Sequence, residues 1–150
     1  MGFPFSSGDV LTAADMNAIG NWVSFTPSWN NLTIGDGTDQ WQYAVINDVL
    51  MIEGRTILGS TTVVSSQPGF DLPNSFTLQN VGQPYGIALY NDSGTGSYFG
   101  HIIPSGPTAM RFAELNVSGS LLKQENVTGG SPFNWTTGDQ IRATMTMRLT

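Results

Sequence analysis

The stretch Gln140-Ile-Arg-Ala-Thr-Met-Thr-Met-Arg-Leu149 alternates strictly between two kinds of residue. Successive side chains of an extended strand point to opposite faces, so this alternation predicts a half-buried β-strand. One face is apolar and comprises Ile141, Ala143, Met145, Met147 and Leu149. The other face is polar and comprises Arg142, Thr144, Thr146 and Arg148. We therefore expect a strand that lies with one face on a core and the other facing outward.

A second strand signal lies near the middle of the chain. Trp41, Tyr43 and Val45 alternate with polar or small residues, and Asn47-Asp48 is typical of a tight two-residue turn. The apolar residues resume directly after this turn and continue through residues 49–57. The sequence therefore predicts a β-hairpin here.

The rest of the chain is also typical of short strands separated by turns. Residues 85–90, 98–103 and 109–115 are rich in aromatic and branched side chains, and Pro104 is expected to end the second of them. Seven or eight short strands without a long helix indicate an all-β fold, a β-sandwich or jelly roll. We expect residues 22–150 to form this knob domain.

Residues 1–21 differ from that domain. Thr12 and Asp15 fit a capping-box variant, with Leu11 ahead of it, and Gly20 offers a helix stop, which predicts a short helix. A helix of about two turns is marginal in water, so it must dock on something. We predict an anchoring segment that joins a larger assembly, although docking on its own domain is an equal alternative. The candidate anchoring residues are Phe3, Phe5, Leu11, Met16 and Ile19.

Composition excludes several classes of function. Charged residues make up 11% of the chain, against about 25% in an average soluble domain. The net charge is -6 and the five Lys and Arg form no basic run, which argues against nucleic acid as a ligand. There are no cysteines. Without a long apolar run or a secretion signal, we expect no membrane insertion.

The order of several short motifs resembles the C-terminal knob domain of phage tail fibres and minor tail proteins. In that family a strand is followed by a Gly-Asn-Gly-Thr-type turn, a Leu-Gly-Ser-Thr stretch and a Leu-Pro, and later by Pro-Phe-x-Trp, Gly-Asp and a last strand. The matching stretches here are Asp36-Gly-Thr38, Leu58-Gly-Ser-Thr61, Phe70-Asp-Leu-Pro73, Ser131-Pro-Phe-Asn-Trp135 and Gly138-Asp139. The start, Gly8-Asp-Val-Leu-Thr-Ala-Ala-Asp-Met-Asn17, is similar to the lead-in segment of phage fibre proteins.

This resemblance implies a tumour-necrosis-factor-like jelly roll that assembles as a homotrimer, is displayed on the phage particle and often contacts host glycans. It also implies that residues 1–21 join other virion proteins and that the virion is assembled in the host cytoplasm. Two features depart from the family. The last strand ends in Met147-Arg-Leu-Thr150 where the family commonly has an aromatic and small residues, and family members are often the end of much longer chains. The sequence therefore leaves two alternatives, a tail-fibre knob and a head spike or capsid decoration protein.

A rival prediction is a carbohydrate-binding adhesin module. Its working surface would be the loops at residues 91–97 and 116–131, because binding residues concentrate on loops of a rigid scaffold. The candidate glycan-contact residues are Asn91, Asp92, Tyr98 and Trp135. The other tryptophans, Trp22, Trp29 and Trp41, lie in or beside strands and are expected in the core or a subunit interface.

Nothing in the sequence favours catalysis. The only histidine, His101, shares a strand face with Phe99 and Ile103, so a packed or hydrogen-bonded side chain is the better interpretation. Most of the acidic candidates lie in turns, where Asp stabilises the bend by bonding its own backbone: Asp36, Asp48, Asp92 and Asp139. Asp36 and Asp39 suggest calcium only weakly, since a third acidic ligand is missing. We expect no enzymatic activity, no cofactor and no bound metal ion.

Overall fold

The computed structural model describes Val10, Thr12, residues 19–118 and residues 120–150. These residues form ten β-strands and one short 3-10 turn, Pro73–Ser75. The strands are β1 Val23–Phe25, β2 Ser28–Thr33, β3 Thr38–Ile46, β4 Val49–Ile57, β5 Val63–Asp71, β6 Gly86–Asp92, β7 Gly96–Gly106, β8 Ala109–Ser118, β9 Leu121–Asn126 and β10 Gln140–Arg148. The predicted all-β class is confirmed. The predicted N-terminal helix lies mostly outside the described residues.

All ten strands belong to one antiparallel sheet. Its order is β1-β3-β4-β10-β6-β7-β8-β5-β2, and β9 pairs with β8 off this path. The predicted hairpin is confirmed as β3 and β4, with Val45 opposite Leu50 and Ile46 opposite Val49. Asn47 opens the turn between them with a positive φ of 54°, a backbone conformation that asparagine tolerates better than most residues.

The alternating strand β10 lies at the centre of the sheet, between β4 and β6. Its predicted apolar face is confirmed: Ile141 is fully buried, and Met145 and Met147 are each 2% exposed. Arg142 and Thr144 on the opposite face are exposed. The face that points into the curled sheet is called the inner face below, and the opposite one the outer face.

The sheet curls until its two ends meet. β1 and β2 are consecutive in the chain but stand at opposite ends of the strand order, and the buried Pro27 lies between them. Trp29 of β2 packs against Trp41 of β3, with ring centroids 5.9 Å apart. The indole Nε1 of Trp29 also donates a hydrogen bond to Asp39 Oδ2 of β3, at 3.0 Å. These contacts close the sheet around one core.

That core is largely aromatic. Phe70 and Phe112 are fully buried, and the ring of Phe70 lies 5.4 Å from that of Trp41. Trp41 lies over Gly54 of the neighbouring strand, where a Cβ would stand only 2.4 Å from the indole Cδ2. The indole Nε1 of Trp41 donates to Thr56 Oγ1 at 2.9 Å, which satisfies the one polar group of this side chain. Glycine at position 54 therefore makes room for the largest core residue.

Two expectations about strand boundaries are wrong. Pro104 does not end its strand, because β7 runs on to Gly106 through a register shift between Pro104 and Gly106. A bulge is one of the places where a strand accommodates proline. Residues 116–131 are not one long loop, since β8 extends to Ser118 and β9 returns from Leu121 to Asn126. The intervening Gly-Ser dipeptide is a hairpin-turn sequence.

The anchoring segment is described only in part. Of its five candidate residues, Phe3, Phe5, Leu11 and Met16 lie outside the described residues, and Ile19 is 50% exposed. Gly20 has a positive φ of 72° and packs closely on Ile46. The anchoring role and the domain division at residues 21/22 stay predictions.

Candidate functional site

The loops at one end of the curled sheet are held together by a buried carboxylate. Asp139, which is fully buried, accepts a hydrogen bond from the backbone N–H of Thr136 at 2.6 Å through Oδ2. Its Oδ1 accepts one from the backbone N–H of Ser93 in the β6–β7 turn, at 2.8 Å. Asp139 stabilises its own turn, as predicted, and also ties that turn to a second one. Asp139 therefore holds these two loops together as one scaffold.

Three aromatic side chains form a cluster on this scaffold. The Phe133 ring lies 5.2 Å from Tyr98 and 4.4 Å from Trp135. Tyr98 is 38% exposed, and the other two are half-buried. The Trp135 Nε1 donates to the Thr128 carbonyl at 2.8 Å, which fixes the indole. We call Tyr98, Phe133 and Trp135 the aromatic platform.

The aromatic platform brings together two of the four predicted glycan-contact residues. Sequence reasoning named Tyr98 and Trp135 but missed Phe133, although Phe133 stands in the same Pro-Phe-x-Trp stretch. Asn91 instead stabilises the β6–β7 turn, because its Nδ2 donates a hydrogen bond to Ser97 Oγ at 3.0 Å. Asp92 is half-buried at the end of β6, and its backbone carbonyl accepts from Thr95 N at 3.1 Å. Asn91 and Asp92 thus shape the turn beside Tyr98.

Buried polar groups support the aromatic platform from below. The Tyr90 ring lies 6.0 Å from Trp135, and its hydroxyl donates to the Ala113 carbonyl at 2.8 Å. Burial, together with the nearby Glu114 charge, raises the pKa of Tyr90 well above its ordinary value. Glu114 is 2% exposed and accepts from Ser131 Oγ at 2.5 Å, which joins the platform loop to β8.

A second feature lies on the outer face of β7, β8 and β9. Four apolar side chains are largely open to solvent: Phe99 at 65%, Leu115 at 44%, Val117 at 66% and Leu122 at 71%. Val117 and Leu122 are directly opposite in the β8–β9 register. Phe99 and Leu115 flank the paired residues Gly100 and Glu114, so they occupy adjacent positions on neighbouring strands. We call these four residues the outer stripe.

The outer stripe continues onto a hairpin that has no other strand beside it. The pairing of β7 with β8 ends at Gly100 and Glu114, and from Leu115 onward β8 pairs with β9. β9 is an edge strand, and Leu121 at its start is 72% exposed. Exposed apolar edge strands are sites where another chain can pair or pack.

No protein-family model, curated protein or solved structure matches this chain. The function is therefore argued from the platform, the outer stripe and the residues around them.

The residues that could suggest catalysis or metal binding are hydrogen-bonded to other side chains of the fold. The imidazole Nε2 of His101 is hydrogen-bonded to Gln124 Oε1 at 2.8 Å, as the strand pattern predicted. Asp39 accepts from Thr56 Oγ1 at 2.5 Å in addition to its bond from Trp29. Over residues 19–118 and 120–150, no group of three His, Asp or Glu side chains could hold a metal ion. In the same part of the chain, no helix is long and apolar enough to span a membrane.

Asp36 has the clearest electrostatic signature. Its carboxylate accepts from Ser60 Oγ at 2.7 Å, from the Thr61 backbone N–H at 2.7 Å and from Thr61 Oγ1 at 2.8 Å. These bonds favour the ionised form and lower the pKa of Asp36 far below its ordinary value of 3.8. The expectation that Asp36 bonds its own turn needs correction, because its partners lie in the loop after β4. The carboxylate connects two turns.

Proposed function

We propose that this chain is a non-enzymatic bacteriophage virion protein, a tail-fibre or spike knob or a head decoration protein, displayed as a homotrimer that contacts a host receptor. The observation that carries the proposal is the outer stripe, which no other part of the described chain covers. The motif order shared with phage knob domains supports the phage assignment. An exposed apolar surface of this kind marks an interaction site on a soluble protein.

Identical copies are the partner that the outer stripe fits best. Full burial of one large apolar side chain contributes about 1.5–3 kcal/mol, and four such side chains reach the range of roughly 4–15 kcal/mol that association costs. Charged residues make up only 11% of the whole chain. Close packing of such surfaces against each other leaves few ions to desolvate.

The oligomeric state tests this proposal. Sedimentation of the full chain in dilute solution should give three times the chain mass of 16.1 kDa. Combined replacement of Phe99→Ser and Leu122→Ser should shift the mass to that of one chain. Val63→Ser, at a position 54% exposed on β5, is the matched control and should remain a trimer. A wild-type monomer, or a trimer that survives the double replacement, contradicts the proposal.

The anchoring segment has its own test. The triple variant Leu11→Ser, Met16→Ser, Ile19→Ser should keep the mass of a trimer. It should be absent from purified phage particles. Retention of this variant on the particle would show that residues 1–21 are not the anchor.

The aromatic platform favours a second candidate function, a carbohydrate-binding adhesin module. Exposed aromatic rings present an apolar face on which the C–H face of a sugar can rest. A glycan array with the purified chain tests it. Signals that disappear in Tyr98→Ala would support the adhesin module, and a blank array would oppose it.

A further inference from the structure

A groove of about 1000 Å³ crosses the outer face of β1, β3, β4, β10 and β6. Its lining includes Arg55 of β4 and Arg142 of β10, which are directly paired in the β4–β10 register. Both residues lie between buried or half-buried neighbours of the inner face, so both guanidinium groups are on the outer face. The volume is at the upper end of what small-ligand sites occupy, about 300–1000 Å³.

The two groove arginines are hydrogen-bonded to glutamines and form no salt bridge with the described residues. Arg55 Nε donates to Gln40 Oε1 at 2.6 Å, and Arg142 donates through Nε and Nη2 to Gln140 Oε1 at 2.9 and 2.7 Å. Among the described residues, the salt bridge found is Lys123 with Glu125, and neither groove arginine makes one. Like charges directly opposite on adjacent strands destabilise a sheet. An anion between them would remove that repulsion.

The rest of the lining suits a sugar chain. Ser24, Gln42 and Thr144 offer hydroxyl and amide groups for hydrogen bonds. Ile87, 61% exposed, and Leu89 give an apolar margin for the C–H face of a pyranose ring.

The groove lining carries too few cations for a nucleic acid. Glu53, whose Oε1 accepts from Gln42 Nε2 at 2.7 Å, lines the groove beside the two arginines. Two arginines can hold one carboxylate, but a phosphate backbone needs a cluster of basic side chains.

We propose that this groove binds an acidic glycan whose carboxylate lies between Arg55 and Arg142. Guanidinium groups bind carboxylates through paired, charge-assisted hydrogen bonds, and the glutamines already orient both arginines. The proposal names a ligand class for the receptor-binding part of the proposed function and rests on that part. It assigns the ligand's negative group to the groove and not to the aromatic platform.

Titration calorimetry with the full chain tests the groove. The probes are an oligogalacturonate, a heparin oligosaccharide that carries sulfate as well as carboxylate, and a neutral maltooligosaccharide of similar length. We expect the oligogalacturonate to bind, the maltooligosaccharide not to bind, and added salt to weaken the affinity. Heparin binding alone would assign the groove to sulfate and overturn the carboxylate assignment.

Matched arginine variants locate the binding. Arg55→Gln and Arg142→Gln should each weaken oligogalacturonate binding roughly tenfold or more, because each removes charge-assisted hydrogen bonds. Arg148→Gln removes the same charge from the same face of β10, outside the groove lining, and should change the affinity less than about twofold. Circular dichroism and thermal melts should be alike for all three variants.

Two results overturn the groove proposal. One is the absence of binding for the oligogalacturonate, and the other is an equal loss of affinity in Arg148→Gln and Arg142→Gln. Sedimentation of the same samples separates this proposal from the trimer. A monomer that binds oligogalacturonate through Arg142 contradicts the trimer only, and a trimer that binds no acidic glycan contradicts the groove only.

Discussion

The inner and outer faces of the sheet obey the same alternation but differ in what the chain does with it. On β10 the two faces separate cleanly, with Met147 2% exposed on the inner face and Arg148 exposed on the outer one. On β8 the inner Phe112 is fully buried, yet the outer Leu115 and Val117 are also apolar and exposed. Exposed apolar residues at positions where a lone chain would place polar ones indicate a partner surface. We therefore assign the apolar residues of the inner face to folding and propose that those of the outer face serve assembly.

The largest effect is expected on the inner face. Phe70 is fully buried and its ring lies within 6.3 Å of four other aromatic rings. Phe70→Ala should lower the free energy of unfolding by about 3–5 kcal/mol, because it leaves a cavity among rigid rings. Urea titration measures this. Val63→Ala, at an exposed position on the same strand, should change it by less than about 0.5 kcal/mol. Equal effects at the two positions would refute the assigned core.

A smaller effect is expected where Trp41 lies over Gly54. A methyl group at position 54 would overlap the indole and the Gln40 carbonyl, so Gly54→Ala should cost about 1–3 kcal/mol in urea titration. Gly96→Ala is the matched control, since no atom lies within 4 Å of a Cβ at that glycine. If the two variants unfold at the same urea concentration, the indole does not occupy this position.

The smallest effect concerns the exposed turns and depends on pH. The pKa of folded Asp36 lies below its ordinary value of 3.8, so the ionised carboxylate stabilises the fold at neutral pH. That contribution is complete above about pH 5 and declines as the pH falls through 3.8 toward the lower folded value. Asp36→Asn should lower the melting temperature at pH 7, and the difference from wild type should shrink below pH 4. A difference that stays constant with pH would contradict the role of the charge.

Local patterns in the sequence predict the parts of the fold that depend on neighbouring residues. The β3–β4 hairpin and β10 follow from alternation and from Asn47, and both are confirmed. The closure of the sheet does not follow, because Trp29 and Asp39 come together only when ten strands have curled. The polar composition of residues 116–131 hid the β8–β9 hairpin, since the Gly-Ser turn stands within other small residues.

The candidate sites also differ in how far the sequence alone could predict them. Tyr98 and Trp135 of the aromatic platform could be named from the sequence because aromatic residues near loops stand out. The arginine pair could not, since Arg55 and Arg142 are far apart in the chain and become neighbours only through the β4–β10 register. The outer stripe could not either, because alternation shows which residues share a face but not which face a partner covers.

Hydroxyl-radical footprinting of the full chain in solution tests most directly whether identical neighbours cover the outer stripe. Phe99 and Leu122 are 65% and 71% exposed in the single chain, and Val63, at 54%, is the internal reference. After correction for intrinsic reactivity, we expect Phe99 and Leu122 of the wild-type chain to be oxidised less than Val63. In the Phe99→Ser, Leu122→Ser double variant, which we expect to be monomeric, the remaining stripe residues Leu115 and Val117 should lose their protection from oxidation. Oxidation of Phe99 and Leu122 in the wild-type chain as strong as that of Val63 would contradict the account.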